Sequence, residues 1–127
     1  MYAANPYNVY KQNSINTSSK ESLLLKLVDA TVRCTKIARQ AIVDKDIHTA
    51  HKELTRVQDI YTELMATLNM DGGSFTKDLY NLYAFIKERL SIANMKKDVS
   101  VIDEVLPIIE EIRDMWHEAN KIAASAK

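Results

Sequence analysis

Apolar residues spaced three or four apart, sustained in four separate stretches of a 127-residue chain, most narrow what this sequence can fold into. At about 100° of turn per residue, that spacing gathers apolar side chains on one face of an α-helix. Only two glycines and two prolines interrupt long runs of Leu, Ala, Lys, Glu and Ile, residues that lose little freedom on coiling. The chain therefore reads as all-helical. At 46% apolar content it can fill one core, and its length leaves no room for a second domain.

The first stripe is Leu23, Leu27, Ala30, Cys34, Ile37 and Ala41, broadened by Leu24, Val28, Ala38 and Ile42. Ser18 and Glu21 have capping-box spacing, so this helix is expected to start there and run to about Asp44. Asp46 suits the N-cap of a second helix carrying Ile47, Ala50, Leu54, Val57, Tyr61, Leu64 and Leu68. The run from Asn69 to Gly73 stops it, and Ser74 is expected to cap a third. There Phe75, Leu79, Leu82, Ile86 and Ala93 share a face widened by Tyr83 and Leu90, and the helix ends near Asn94. Asp98 caps a fourth, with Ile102, Val105, Ile109, Ile112, Trp116, Ala119 and Ala123 inward. Pro107 falls inside it and predicts either a kink or a later start, because it removes one amide and crowds the carbonyl of Asp103.

Such short connections make successive helices antiparallel. The expected fold is all-α: an antiparallel up-down-up-down four-helix bundle over residues 18–127, preceded by a short tyrosine-containing arm over residues 1–17.

Composition and spacing exclude most chemistry such a bundle could carry. Seventeen basic residues balance seventeen acidic ones, so no net field draws nucleic acid or an anionic bilayer, and a partner must be recognised by shape and apolar contact. No apolar run approaches the roughly 20 residues that span a membrane. The first ten residues lack a signal-peptide pattern and Cys34 has no disulfide partner, which places the chain in a reducing cytoplasm. A di-iron site would need Glu-x-x-His pairs that are missing, so no metal or cofactor is expected; Asp114 and His117 read as a solvated surface pair. Cys34 reads as core filler, and the scattered serines have no base at a legible spacing, so the chain is expected not to be an enzyme. The alternative function is that of a histidine phosphotransfer bundle using His51. Glu53 beside it would repel the acidic domain such a protein must meet.

Apolar residues are left over once the core is assigned. Leu25 and Val32 lie on another flank of the first helix, Phe85 and Ile92 on another flank of the third, and Val101, Ile108, Met115 and Ile122 along the fourth. Each set repeats at seven and forms a ridge, and several ridges together favour a groove for a partner helix. Tyr2, Tyr7 and Tyr10 sit in a polar arm with no core of its own, where an aromatic clasp over that groove is the reading that uses them.

The ordered combination of the arm Asn5-Pro6-Tyr7-Asn8-Val9-Tyr10, the Ala93-Asn94-x-x-x-Asp98 linker and the final Arg113-Asp114-Met115-Trp116 resembles the flagellin export chaperones of the FliS family, with similarity running from residue 5 to 120. Where that family often has Leu-Tyr-Asp-Gly and an aromatic four residues on, this chain has Leu27-Val28-Asp29-Ala30 and Cys34. The resemblance implies a cytoplasmic helical bundle that binds the disordered C-terminal segment of flagellin one to one, prevents its premature polymerisation and delivers it for export, with the flagellar export gate as a second candidate partner. Carried over by motif, Tyr7 and Tyr10 are expected to touch the partner, with Asn13 positioning the arm. Surface geometry adds Leu25, Val32, Tyr83 and Phe85.

Overall fold

A computed structural model describes the backbone from Pro6 to Ala126 and side chains from Lys20 to Ala126. Four α-helices follow one another: α1 (Pro6–Val43), α2 (Ile47–Thr67), α3 (Ser74–Lys96) and α4 (Val99–Ser125), with a 3₁₀ turn (Met70–Gly72) between α2 and α3. Each helix packs on its two neighbours in the cyclic order α1, α2, α3, α4, giving the antiparallel bundle.

The connections use local chemistry throughout. Lys45 closes the α1–α2 turn with φ 62°, after which the Asp46 carboxylate accepts from the Thr49 amide. Lys97 ends α3 in the left-handed conformation, and Asp98 caps α4 by accepting from the Ser100 amide and hydroxyl. Both acids are held below the usual carboxylate range, chiefly by those hydrogen bonds. Before α3 the expectation is corrected: Gly73, at φ 81°, is the N-cap, and Ser74 is already helical. A side chain at Gly72 would also meet the buried Thr76 hydroxyl.

Two further expectations move. α1 starts at Pro6, where a fixed φ and a missing amide cost a helix nothing, and it runs straight through Ser18. At 38 residues it spans about 57 Å, against about 32 Å for α2, so its N-terminal part passes the end of its neighbour. α4 continues through Pro107 from Val99, which rules out a later start; Pro107 faces solvent, where water can hydrate the Asp103 carbonyl left without its amide.

The core follows the expected stripes on α2 and α4 but is rotated on α1. Ala50, Leu54, Val57, Tyr61 and Leu64 of α2 are buried, as are Ile102, Val105, Ile109 and Ile112 of α4. On α1 the buried face comprises Val28, Ala30, Thr31, Val32, Cys34, Thr35, Ala38 and Ala41, while Leu23 and Ile37, read as core, are 49% and 42% exposed. The threonines explain the rotation. Thr31 donates to the Val28 carbonyl and Thr35 to the Thr31 carbonyl, each at 2.6 Å, so both hydroxyls are satisfied within the helix and can face apolar neighbours. Ile47 and Phe75, in the first turns of α2 and α3, are likewise exposed, as are Ala119 and Ala123 of α4.

Candidate functional site: apolar grooves beside α1

Leu27 and Leu24 lie one and two turns before Thr31 on the same side of α1, and Leu23 two turns before Ala30. On the α2 side, two adjoining cavities of about 470 and 490 Å³ share Leu23 and Leu27. Ala30 and Ile60 line the first, Leu24 and Leu64 the second. Their rim is mostly basic, with Lys20, Lys26, Arg33 and Arg56 against Asp29 and Glu63.

On the α4 side a smaller groove of about 180 Å³ is walled by Leu24, Leu25, Trp116, Ala119 and Ala123. Its position has a physical cause. Two ion pairs and a histidine–carboxylate hydrogen bond strap α1 to α4 further along: Arg39 to Asp103 at 2.6 Å, Lys36 to Glu110 at 3.6 Å, and His117 to Asp29 at 2.7 Å. On α4 they recur every seven residues, along one flank. Among the described residues the last strap is at His117, and the groove lies beside it. Asp103 is held below the usual carboxylate range, first by its hydrogen bond to Arg39. Leu24 belongs to both grooves, so a segment crossing α1 there could occupy one and then the other.

A third apolar strip lies on the α3–α4 seam. Arg89 of α3 reaches Glu104 of α4 at 2.7 Å, and Phe85 and Ile92 flank Arg89 on the same side of α3, while Ile108 lies one turn beyond Glu104. Phe85 is 47% and Ile122 60% exposed; Ile92, Ile108 and Met115 are half-buried against the core.

The expected partner residues divide accordingly. Leu25 stands in the α4-side groove and Phe85 on the α3–α4 strip. Two expectations of surface position are corrected. Val32 is 5% exposed, drawn inward with Thr31 and Thr35, and Tyr83 is fully buried, its ring tilted against Tyr61 at 5.5 Å. Val101, expected on a ridge, is also buried. Tyr7, Tyr10 and Asn13 have side chains outside the described residues, and Tyr2 lies outside them altogether. Sequence reading missed Leu23, Leu27, Ile60 and Leu64 as groove residues because it had assigned three of them to the core. The available signal was the Thr31–Thr35 pair, one turn apart, which marks the inward face.

Other chemistry finds little footing. Among the described residues no three His, Cys, Asp or Glu side chains gather as metal ligands, and no helix is long and apolar enough to cross a membrane. His51 lies in the first turns of α2, its Nδ1 accepting from Asn94 Nδ2 at 3.0 Å. Cys34 is buried; burial first, then the neighbouring Glu53, push its thiol pKa up, opposite to what a nucleophile needs.

A family pattern described as flagellar protein FliS matches residues 3–123. The chain belongs to the FliS family. The flagellar secretion chaperone FliS of Bacillus subtilis (strain 168) is 33% identical over 119 residues, covering 94% of this chain and 89% of the relative. The FliS of Campylobacter jejuni is 30% identical over 115 residues, covering 90% of each. A solved flagellar chaperone from bacteria has the same fold, with a TM-score of 0.75 over 91% of this chain and 94% of that one at 19% identity. Family membership makes this a chaperone-family bundle of flagellar export. The chain's departures from the commoner FliS pattern, at Val28, Ala30 and Cys34, all fall on the buried small face of α1.

Proposed function

We propose that this FliS-family chain is a cytoplasmic, non-catalytic chaperone that binds the disordered C-terminal segment of flagellin one to one, keeps it from polymerising and presents it for export. The observation that carries the reading is the pair of grooves meeting at Leu24, lined by α1 leucines that the bundle's own core buries only in part. An unstructured segment able to form amphipathic helices gains by burying its apolar face there, and its ordering cost is offset only where the groove is apolar and preformed. The mostly basic rim favours a segment with acidic or neutral polar residues beside its apolar anchors.

Tyr7 and Tyr10, with Asn13 setting the arm, belong to the proposed contact surface, as do Leu25 and Phe85. Val32 and Tyr83 act from inside the core. The export gate is the proposed second partner. Calorimetric titration with a synthetic flagellin C-terminal peptide tests the reading: saturable one-to-one binding supports it, and absence of binding at high micromolar peptide refutes it.

A further inference from the structure

The α4-side groove has one wall that can move. Trp116 is half-buried, and its indole N–H is donated to the Tyr83 hydroxyl at 2.8 Å. Tyr83 comes from α3, across the bundle from the α1–α4 groove, and is itself immobile: 0% exposed and packed at 5.5 Å and 44° on the equally buried Tyr61. Phenylalanine would fill the same core volume without a polar atom to desolvate, so the hydroxyl at this position has a cost that its bond to Trp116 offsets. The bond runs from the most rigid part of the core to the wall of a groove.

From this geometry we infer that Tyr83 is a positioning residue for partner binding: its hydroxyl holds the Trp116 indole back as a fixed wall, keeping the α1–α4 groove open for an aliphatic face of the docked flagellin segment. The inference rests on the proposed function and deepens it by naming what shapes one subsite. Without the hydroxyl, the indole N–H must find water, and a half-buried ring reaches water by turning outward, into the space between Leu24, Leu25 and Ala123. The groove then fills with the protein's own side chain.

Trp116 is the single tryptophan, so its emission reports this wall alone. In the free protein, Tyr83→Phe is expected to red-shift that emission and increase its quenching by acrylamide, while Tyr80→Phe, an exposed tyrosine on the same helix, changes neither. Affinity for the flagellin C-terminal peptide, by calorimetry, is expected to fall about three- to tenfold in Tyr83→Phe, the worth of one neutral hydrogen bond. Trp116→Phe also weakens binding, and adding Tyr83→Phe to it costs less than about twofold more, because the two residues act as a unit. Unchanged emission and quenching in Tyr83→Phe overturn the inference, as does an equal affinity loss from Tyr83→Phe with and without Trp116. If Tyr83→Phe fails to fold, Trp116→Phe removes the bond from the other side, and its unaltered affinity overturns the inference. If the unmodified protein does not bind the peptide, the proposed function fails, whereas the emission of the free variants still decides whether Tyr83 holds Trp116.

Discussion

Leu23 offers the sharpest separation of docking from folding. It lines both cavities between α1 and α2 and is 49% exposed in the free bundle. Complete burial of a leucine contributes about 1.5 to 3 kcal/mol, so roughly half, about 1 kcal/mol, remains to be gained when a partner covers the groove. Truncation by Leu23→Ala should therefore weaken the flagellin peptide about fivefold, since 1.4 kcal/mol is tenfold. The same change removes the half already buried, so stability should fall by about 1 kcal/mol as well. Ile37 is the internal control: it sits on the same flank of α1, is 42% exposed, and lies outside the residues lining either groove. Ile37→Ala should lower stability by a similar amount and leave affinity unchanged. Isothermal titration for binding and urea unfolding for stability read the two effects separately. If Leu23→Ala binds within twofold of the parent, or Ile37→Ala loses as much affinity, the groove has been placed on the wrong surface.

Leu54→Ala should cost about 2 to 5 kcal/mol by urea unfolding, because Leu54 is fully buried, while Ile122→Ala, 60% exposed, should stay within about 0.5 kcal/mol. Asp98 has a folded-state pKa below its ordinary value of 3.8, so its cap adds stability that is present above 3.8 and lost as pH falls through the lower folded value. Asp98→Ala should accordingly melt below the parent at pH 6, and that gap should close as the pH approaches 2. Cys34, buried with a raised pKa, should resist a disulfide reagent at pH 8 in the native protein and react at the rate of opening when urea is added.

How much could be read beforehand differs by helix. On α2 and α4 the inward residues are aliphatic or Tyr61, so apolar spacing alone located the face, and Asp46 and Asp98 marked the starts because a short acid before a periodic run is a capping signal. On α1 the inward face is only partly legible, because Thr31 and Thr35 are polar residues whose hydroxyls are returned to the helix's own carbonyls. The expected stripe includes Val28, Ala30, Cys34, Ala38 and Ala41, which are buried, but also Leu23 and Ile37, which are exposed, and it omits Thr31, Val32 and Thr35. For that reason Val32 is expected outward and Leu23 inward, the reverse of what is found, while Tyr83 of α3, expected both on the core stripe and at the surface, is buried. Leu25 and Phe85 are accessible as expected, Leu25 lining the α4-side groove and Phe85 47% exposed on α3.

The small face of α1 and the grooves beside it have a common origin. Tyr61 and Tyr83 meet fully buried in the core, whose other fully buried side chains include the large Leu54, Ile86, Ile102 and Ile109. A fourth helix can close on such a core only by presenting small side chains, because interior packing alternates large against small. α1 meets that need with Ala30, Thr31, Cys34, Thr35, Ala38 and Ala41. One and two turns before Thr31 the same side of α1 carries Leu27 and Leu24 instead, with Leu23 two turns before Ala30, and these larger residues line the grooves. A bulky residue at Ala38, which is 0% exposed, should thus disturb more than local packing: by pushing α1 off the core it would shift both groove walls together. Ala38→Leu is expected to lose about 1 to 3 kcal/mol of stability and to weaken the flagellin peptide although Ala38 touches neither groove. An overpacked but folded Ala38→Leu variant with unaltered affinity would show that the grooves do not depend on how α1 seats.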